Sequence, residues 1–560
     1  MMKHISIYTF RIIFLSLLFV SPLVLTSYDD TRNFEISKNL DIFYSVFQEI
    51  NTHYVDQIDP GELMSYAIDK MLESLDPYTK YIPESDVERF QMMTKGEYGG
   101  IGAMIGKRDS VMMISEIFEG YPAHKAGLLP GDKIVTIDNR SIIGKNRDEI
   151  HELLQGQPGT TIILGIQRGN SKTINTYSVK RETINLKSVP YYNMLDNNIG
   201  YVKLNQFTQN CAVEVKNACN DLRLKGAKSL ILDLRDNPGG LLMEAIQITN
   251  LFVEQNKKIV YTKGKNKIAE STFYTKEQPW DTKIPLVILV NQFSASASEI
   301  VSGALQDLDR AVVIGNQTFG KGLVQTRKEL AHNSLLKVTT SKYYIPSGRC
   351  IQKMDYSQQK YRGKGVVIAD SLHSVFYTQN NRPVEDGGGV IPDVYVKIDT
   401  NKQLTATFKN TYMFDDFVNS TYSYADSSKY RIQSFTVTES MFNSFKKYTA
   451  EQQFVYKSQS ETLLNSVITQ LSKDNIDAQH EIALLQKKIR ALQDELFVSE
   501  KQSIEQELAL YIMQRMYFER GKIQYQTLHD EYINQAKQML LNPKEYNNIL
   551  QGISGVHKKK

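Results

Sequence analysis

The sequence predicts a multidomain α/β protein with an inserted mainly-β domain and with helical N- and C-terminal regions. Apolar strand-like runs alternate with helical segments between Tyr191 and Lys397, an order typical of layered α/β packing. Residues 96–182 instead hold short β-rich runs separated by glycine. The segments 34–95 and 401–560 keep the spacing of apolar residues that indicates helices.

The composition narrows the class of protein. The 560 residues are 41% hydrophobic and 23% charged, which excludes wholesale disorder and a fibrous structure. Sixty-six basic and 62 acidic residues leave a net charge of +4, so we expect no nucleic-acid partner. The three cysteines lack C-x-x-C spacing, which excludes a disulfide scaffold and a cysteine-based zinc module.

Residues 1–27 are predicted to be an export signal. Lys3, His4 and Arg11 precede an apolar run from Ile12 to Leu25, which is shorter than the roughly 20 residues that span a bilayer as a helix. An uncleaved N-terminal anchor is the alternative, so membrane association through this segment stays open. We therefore expect an exported protein of the periplasm or cell envelope.

Residues 28–95 follow as a predicted helical region. Apolar residues recur at helical spacing through Ile42–Ile50 and again through Leu63–Leu75. Asp76-Pro77 and Ile82-Pro83 interrupt this pattern, because proline cannot continue a helix.

Residues 96–182 are predicted to form the inserted mainly-β domain, with one amphipathic helix at Arg147–Leu154. Its expected strands are Ile101–Ile105, Val111–Ile117, Lys133–Ile137, Thr161–Gln167 and Thr173–Val179.

A glycine-rich turn at the start of this domain indicates peptide binding. The backbone N–H groups of Gly99, Gly100, Ile101 and Gly102 can converge on a carboxylate. The strand that follows can pair edge to edge with an extended peptide. The alternative is that these glycines only form tight hairpins.

The helix Arg147–Leu154 is expected to supply an apolar wall, from Ile150, Leu153 and Leu154, for the last side chain of the peptide. The runs Gly96–Gly106 (GEYGGIGAMIG) and Ala123–Ile142 (AHKAGLLPGDKIVTIDNRSI) resemble a PDZ domain of the type found in processing proteases. This resemblance implies protein or peptide substrates with free, apolar C-termini.

Residues 183–400 are predicted to form the α/β core, and residues 401–560 a separate helical region. The expected core strands are Ile199–Leu204, Ser229–Leu234, Leu286–Val290 and Ala311–Ile314, and the expected helices are Ala212–Leu224, Leu241–Phe252 and Ser296–Gln306. Beyond residue 400, apolar residues keep 3–4 spacing for only about two heptads, which favours a helical hairpin or accessory bundle over a coiled coil. They are Ile482, Leu485, Ile489, Leu492 and Leu496.

Three segments of the core carry candidate chemistry: Leu230–Gly240 (LILDLRDNPGG), Asn291–Ile300 (NQFSASASEI) and Thr318–Gln325 (TFGKGLVQ). Each lies just after or between buried strands, where α/β folds usually place their active sites. Serine is a weak nucleophile that needs a base, and the nine histidines are scattered.

Lys321 is the candidate base, because apolar neighbours can exclude water and lower the pKa of its amine. If Lys321 and Gln325 share a strand face, the amide of Gln325 can orient that amine. The serine segment is expected to place a hydroxyl at a helix N-terminus. The Gly239-Gly240 turn and Ala297 can donate N–H groups to an oxyanion. Considered separately, the serine segment also fits an ordinary helix cap, and the lysine segment also fits a surface turn.

Together the three segments resemble the carboxyl-terminal processing peptidases, or tail-specific proteases, over about Leu40–Lys397. The resemblance includes Ser347–Gln352 (SGRCIQ), apart from Cys350 where many relatives carry serine, and Asp386–Val394 (DGGGVIPDV). It implies a crotonase-like core with a cap. The C-terminal region matches no motif that we can name.

The roles that the resemblance implies are specific. Ser296 is expected to be the nucleophile, Lys321 the general base and Gln325 the residue that positions Lys321. The oxyanion hole is expected from Gly239 or Gly240 together with Ala297. Because these groups supply every chemical role, we expect no metal, nucleotide or organic cofactor.

The leading hypothesis is an exported serine endopeptidase that captures substrate C-termini with its PDZ domain and cleaves upstream of them. A non-catalytic scaffold on an inactive protease-like core is the rival, but Ser296, Lys321 and Gln325 are all present. A crotonase-like acyl-CoA enzyme is a third hypothesis, which the export signal disfavours. The sequence does not predict an oligomeric state.

Overall fold

The computed structural model describes most of the chain after the predicted export signal, which lies outside the described residues. The described ranges are 32–87, 90, 96–108, 111–145, 147–169, 171, 173–357, 363–397, 402–454, 456, 458–474 and 476–553. No helix within them combines the length and apolar character needed to span a membrane.

The helices concentrate at the two ends of the chain, and the strands lie between them. A helix over residues 32–53 precedes the first one that we label. The labelled helices are α1 (Pro60–Glu73), α2 (Pro122–Lys125), α3 (Arg147–Leu154), α4 (Cys211–Leu224), α5 (Leu242–Asn250), α6 (Ala297–Asp307), α7 (Gln403–Asn410), α8 (Met413–Thr421), α9 (Glu439–Glu451), α10 (Gln459–Lys473), α11 (Gln479–Ser499), α12 (Lys501–His529), α13 (Glu531–Leu541) and α14 (Pro543–Leu550).

The strands run from the end of the N-terminal region to residue 395. They are β1 (Lys80–Ile82), β2 (Glu97–Gly100), β3 (Ala103–Arg108), β4 (Val111–Ile117), β5 (Lys133–Ile137), β6 (Arg140–Ser141), β7 (Thr161–Gln167), β8 (Ile174–Lys180), β9 (Glu182–Asn185), β10 (Tyr191–Leu195), β11 (Ile199–Lys203), β12 (Ser229–Asp233), β13 (Lys258–Gly264), β14 (Ser271–Tyr274), β15 (Leu286–Val290), β16 (Val312–Gly315), β17 (Leu323–Glu329), β18 (Leu335–Tyr344), β19 (Met354–Asp355), β20 (Val366–Val367), β21 (Val375–Tyr377), β22 (Pro383–Glu385) and β23 (Val394–Tyr395).

A six-stranded sheet in the order β10-β11-β12-β15-β16-β23 forms the core. Its strands are parallel except for β10, which pairs antiparallel with β11. Every residue of β12 and β15 is buried, as their continuous apolar sequences predict for strands covered on both faces. The four predicted core strands and three predicted core helices are therefore present, each within two residues of its expected ends.

The two faces of this sheet are covered by helices from different parts of the sequence. Helices α4, α5 and α6 pack on one face, where Leu232 and Ile288 are buried. Helices α13 and α14 pack on the other face, where Ile533 and Tyr546 contact the cluster around Val287. The predicted boundary at residue 400 therefore marks a change in composition and not a separate packing unit, because the last two helices complete the core.

A second, five-stranded sheet lies beside the core. Its order is β1-β18-β13-β14, and β17 pairs with β18. Strand β1 comes from the predicted helical N-terminal region and pairs antiparallel with β18, so Lys80 faces Lys337. This pairing brings residues just before β1 to the candidate active site.

The inserted domain has the predicted mainly-β architecture. Strands β3-β4-β5-β7-β8 form its sheet, with β6 paired to β5, and β2 pairs with β9 at the point where the chain enters and leaves. Its buried core includes Phe518 of α12, which has a positive φ of 54° at a kink in that helix. The C-terminal helical region therefore anchors the inserted domain.

Helices α7, α8, α9, α11 and α12 bury an aromatic cluster of their own. The Phe414 and Phe445 rings stack with centroids 5.0 Å apart, and Phe408 meets Phe445 edge to face. The predicted 3–4 pattern lies on α11, which packs against α12 as a helical hairpin within this larger assembly.

Candidate active site

The three candidate segments meet at the C-terminal edge of the parallel core sheet. The loop after β12 carries Asp236, and the loop after β15 begins at Asn291. These two residues exchange hydrogen bonds, because the Asp236 N–H donates to Asn291 Oδ1 at 3.0 Å and Asn291 Nδ2 donates to Asp236 Oδ1 at 2.8 Å. The loop after β16 leads to Lys321 at the same edge, where α/β proteins usually bind their ligands.

Of the three serines in the predicted nucleophile segment, the two outer ones have structural roles. Ser294 is fully buried and its hydroxyl donates to the Leu234 carbonyl at 2.8 Å. Ser298 is also fully buried, and its hydroxyl donates to the Asn237 carbonyl at 2.9 Å. Ser296 is half-buried, so unlike the two outer serines it is partly exposed to solvent.

Ser296 stands in a constrained turn immediately before helix α6. Its φ of 56° and ψ of −111° lie in a region that non-glycine residues rarely adopt, at a cost of about 1–3 kcal/mol. Gly239 packs directly against this turn, because a Cβ added there would lie 2.9 Å from Ser296 Cβ and 2.6 Å from the Ala295 carbonyl oxygen. The surrounding loops therefore hold Ser296 in a strained conformation, a feature that clusters at active sites.

Glu299, one turn into α6, connects the Ser296 turn to the Lys321 loop. Its Oε2 accepts the N–H of Ser296 at 2.8 Å and the N–H of Lys321 at 2.9 Å. Its Oε1 accepts the Thr318 hydroxyl at 2.6 Å and the Gly320 N–H at 2.7 Å. Burial raises the pKa of Glu299 and these four bonds oppose that rise. Because all four groups donate, the arrangement fits the ionised carboxylate.

Tyr343 of β18 makes a second connection between the same two segments. Its buried hydroxyl is 2.7 Å from the Lys321 carbonyl oxygen and 3.1 Å from the Ser296 carbonyl oxygen, and it donates to both. Burial raises the pKa of this phenol well above its ordinary value, so it remains a donor at neutral pH. The two bridges fix the relative position of the Ser296 and Lys321 backbones.

The environment of Lys321 favours its neutral form. Burial and the nearby positive charge of Lys337 lower the pKa of the amine to about 8, although Glu299 and Asp76 act in the opposite direction. The Lys321 Nζ lies 4.3 Å from the centre of the Tyr78 ring, whose face attracts the charged form. A lysine with this pKa has the basicity that a general base near neutral pH needs, and the role of Lys321 as the base stays a prediction.

Gln325 does not share a strand face with Lys321 in the way that the sequence argument assumed. Strand β17 begins at Leu323, two residues after Lys321, and the register shifts between Val324 and Gln325. The Gln325 Nε2 donates to Thr339 Oγ1 at 3.2 Å. That part of the reasoning is therefore wrong, and the role of Gln325 in positioning Lys321 stays a prediction.

The structure distinguishes between the two glycines proposed for the oxyanion hole. The Gly239 N–H donates to Asn237 Oδ1 at 2.9 Å, so it is already engaged. Among the described residues, neither the Gly240 N–H nor the Ala297 N–H has an acceptor. Ala297 is the first residue of α6, where the helix dipole also favours negative charge. The geometry therefore favours Gly240 with Ala297.

The glycine-rich turn of the inserted domain keeps two donors available. Gly99 and Gly100 end strand β2, and the next strand begins at Ala103 instead of the expected Ile101. Within the described ranges, the N–H groups of Ile101 and Gly102 have no acceptor. Gly102 has a φ of 73°, and an added Cβ would lie 2.4 Å from Tyr121 Cβ. Only glycine fits this turn.

The expected apolar wall on α3 is partly wrong. Ile150 is fully buried in the core of the inserted domain, and Leu153 is exposed. A pocket between α3 and β3 is lined on the helix side by His151, Leu154 and Gln155. Of the three predicted residues only Leu154 lines it, because the helix turns Ile150 towards the sheet and Leu153 towards solvent.

Comparison with known proteins gives the family. The model of Peptidase family S41 matches residues 198–358, and a PDZ domain model matches residues 113–168. A third model, the C-terminal helical domain of a probable PDZ-protease, matches residues 404–540. A carboxy-terminal-processing protease of Bartonella bacilliformis is 37% identical over 348 residues, which is 60% of this chain and 79% of that protein. The chain belongs to the carboxy-terminal processing protease family.

Other members of this processing protease family match to a similar extent. A probable CtpA-like serine protease of Staphylococcus haemolyticus is 36% identical over 337 residues, or 59% of this chain and 67% of that protein. Among solved structures, the photosystem II D1 C-terminal processing protease is 25% identical, covers 63% of this chain and 86% of its own, and has a TM-score of 0.37. The family models and the sequence relatives identify the chain as a serine-type peptidase of the processing protease family with a PDZ domain. The crotonase-like relationship of its core stays a prediction.

Sequence reasoning missed three residues of this processing protease site. Glu299 was visible only as an acid in the first turn of a helix, although the spacing Ser-x-x-Glu is that of a capping box. Tyr343, in β18, and Tyr78, in the turn before β1, reach the site from segments that are distant in sequence, and no local signal marked them. Within the described ranges, no cluster of three His, Cys, Asp or Glu side chains could hold a metal ion.

Proposed function

We propose that this chain is an exported endopeptidase that works through a Ser296–Lys321 pair. Neutral Lys321 takes the proton of Ser296 as its Oγ attacks the scissile carbonyl carbon. The tetrahedral oxyanion accepts hydrogen bonds from the N–H groups of Gly240 and Ala297. Protonated Lys321 then gives its proton to the departing amine. Water hydrolyses the resulting ester on Ser296, with Lys321 again acting as the base.

One observation carries this proposal. Among three neighbouring serines, only Ser296 is partly exposed to solvent, and its backbone is tied through Glu299 to the backbone of a lysine whose pKa is lowered. A structural helix cap requires neither a strained turn at Ser296 nor a half-buried lysine of lowered pKa on the loop connected to it. An inactive scaffold would not need to retain this arrangement.

The test is a pair of substitutions with matched controls. Ser296→Ala and Lys321→Ala should each reduce peptide cleavage by at least 1000-fold, since residues that act as one unit are each indispensable. Ser298→Ala removes a hydroxyl from the same motif, and Lys342→Ala removes an exposed lysine from β18. Both controls should keep most of the turnover. Near wild-type cleavage by folded Ser296→Ala or Lys321→Ala protein would refute the assignment.

We further propose that the PDZ domain captures the free C-terminus of the substrate. The unengaged N–H groups of Ile101 and Gly102, with Gly99 and Gly100 before them, can bind the terminal carboxylate. The pocket with Leu154 can receive an apolar last side chain. Cleavage then occurs upstream, at Ser296.

A titration of one peptide in free-acid and amidated forms against Ser296→Ala protein tests this capture. Charge-assisted hydrogen bonds are about twice as strong as neutral ones, so we expect the amide to bind at least tenfold more weakly. Adding Gly102→Ala, which strains the turn, should abolish the difference. Gly106→Ala is the matched control, because a Cβ there meets only Ser115 Cβ, at 4.0 Å. Equal binding of the two peptides would rule out capture by this turn.

Export rests on the sequence of residues 1–27 alone. Lys3 and Arg11 precede an apolar run too short to cross a bilayer, and an uncleaved segment would leave the protein attached to the membrane. Fractionation of cells that produce the protein, with N-terminal sequencing of the mature chain, separates a cleaved signal from an anchor. Recovery of a protein with an intact N-terminus in the cytoplasm would contradict both the cleaved signal and the membrane anchor.

A further inference from the structure

Three cationic side chains stand side by side on the sheet next to the active site. In the antiparallel register, Lys80 of β1 lies opposite Lys337 of β18, and Lys337 lies opposite Arg327 of β17. Directly opposed residues of antiparallel strands share one face, with Cβ atoms about 5 Å apart. These three residues therefore form a continuous cationic row across three strands.

Acidic side chains offset the charge of this row only in part. Within the part of the chain that the structure describes, none of Lys80, Lys337 and Arg327 makes an ion pair. Burial and the charge of Lys80 lower the pKa of Lys337, and Asp76 opposes this. The Asp76 carboxylate accepts the N–H groups of Tyr78 and Thr79, each at 2.8 Å, so hydrogen bonds hold it within its own turn. Like charges placed opposite one another destabilise a sheet. Binding of an anion would relieve the repulsion within such a row.

The row lies next to Lys321, which donates a proton to the leaving group in the proposed mechanism. Lys337 is near enough to lower the pKa of Lys321, and the Tyr78 ring that contacts the Lys321 amine belongs to the turn leading into Lys80. The proposed mechanism has Lys321 deliver its proton to the departing amine. We therefore expect the segment of substrate that follows the cleaved bond to leave past Lys321, on the side where Lys337 and the Tyr78 turn lie.

We propose that Lys80, Lys337 and Arg327 form a binding subsite for carboxylate groups on the departing, C-terminal segment of the substrate. This inference rests on the proposed Ser296–Lys321 mechanism and names a substrate class for it. Substrates with glutamate or aspartate shortly after the cleaved bond should be preferred. A free terminal carboxylate can occupy the same subsite when the departing segment is short.

The main experiment compares two peptides that differ only after the cleaved bond. One carries Glu-Glu in the departing segment and the other Gln-Gln, and both end in the same four apolar residues so that capture by the PDZ domain is equal. For the wild-type protein, we expect kcat/KM to be about tenfold higher for the Glu-Glu peptide at low salt. This advantage should shrink as salt rises from about 10 to 200 mM, because the subsite is open to solvent.

Variants at neighbouring positions of β17 make the comparison specific. Arg327→Glu reverses one charge of the row and should remove or invert the preference for Glu-Glu. Lys328→Glu makes the same change in charge at the next residue, whose side chain points to the opposite face. It should leave the ratio of the two kcat/KM values as in the wild type. Equal ratios for the two variants, or no preference in the wild type, would overturn the proposal.

Two further experiments distinguish side-chain carboxylates from the terminal carboxylate, and distinguish failure of the cationic row from failure of the proposed mechanism. The first uses a peptide with a neutral departing segment of two residues, in free-acid and amidated forms. If the free acid loses its higher kcat/KM in Arg327→Glu but keeps it in Lys328→Glu, then the row binds the terminal carboxylate. If no peptide is cleaved, the proposed mechanism fails. Binding of the Glu-Glu and Gln-Gln peptides to Ser296→Ala protein still tests the row, and equal binding would refute it.

Discussion

Replacing Glu299 with glutamine removes one carboxylate oxygen from the centre of the site. The carboxylate accepts four hydrogen bonds between 2.6 and 2.9 Å, two on each oxygen. Glutamine has a single acceptor oxygen, and its NH2 group would face two of the donors. Whichever way the amide turns, at least one buried N–H of Ser296, Gly320 or Lys321 loses its acceptor.

The structure sets the size of this effect. An unsatisfied buried donor costs about 1–3 kcal/mol, and bonds to a neutral amide are roughly half as strong as those to a carboxylate. We therefore expect Glu299→Gln to lose about 3 kcal/mol of stability, or roughly 6–12 °C in the melting temperature of the core. The strained Ser296 turn should also relax, and a displacement of about 1 Å lowers kcat by about 100-fold.

The assay measures thermal unfolding and the kcat of peptide cleavage well below the melting temperature. Asp307→Asn is the matched control, because this carboxylate is buried at the far end of the same helix and pairs with fully buried Arg349 at 2.9 Å. It should lose comparable stability while its folded molecules keep wild-type kcat. If Glu299→Gln is destabilised but keeps wild-type kcat, then the carboxylate does not position the catalytic pair and our reasoning is wrong.

Three more predictions follow from contacts described above. The proposed base is the neutral form of Lys321, whose pKa is lowered to about 8, so kcat should rise roughly tenfold from pH 7 to a plateau above pH 9. Lys337→Met removes the like charge and should move the inflection in the pH–rate profile to higher pH, and an unmoved inflection would contradict this coupling. Arg235→Gln removes the ion pair of half-buried Asp530 and leaves fully buried Asp233 with Lys203 alone, at 3.5 Å, which should cost about 3 kcal/mol and expose the last two helices to limited proteolysis. An unchanged digestion pattern would count against the Arg235 ion pairs. Phe518→Ala should cost about 3–5 kcal/mol and raise hydrogen exchange in the PDZ domain first; uniform exchange across the chain would show that the side chain does not anchor that domain.

The parts of this structure that the sequence predicted well are those encoded within short stretches of chain. The buried strands Ser229–Asp233 and Leu286–Val290 are continuous apolar runs, and such runs rarely fit anything but a covered sheet. The position of Lys321 could be predicted because adjacent glycines and apolar residues mark a desolvated loop. These signals lie within a few residues of the feature that they predict.

The parts that the sequence did not predict depend on contacts between distant segments. The row of Lys80, Lys337 and Arg327 exists only because β1 pairs with a strand more than 250 residues later. The face of β17 on which Gln325 lies is set by a bulge, which has no local sequence signal here. The wall of the PDZ pocket depended on which side of one short helix meets the sheet, and apolar spacing alone does not decide this when apolar residues occupy both sides.

Because α13 and α14 cover one face of the core sheet, the core can fold only late in the synthesis of residues 183–550. All strands of the core sheet have been synthesised by residue 395, but the helices that bury its second face span residues 531–550. Until those residues emerge, Ile231, Val287 and Ile314 face water, and the Arg235 guanidinium lacks Asp530. The loop that carries Gly239 and Gly240 follows directly on Arg235. The nascent chain therefore contains both residues of the proposed catalytic pair long before it can hold them in place, so the site can form only after residue 550 has been made.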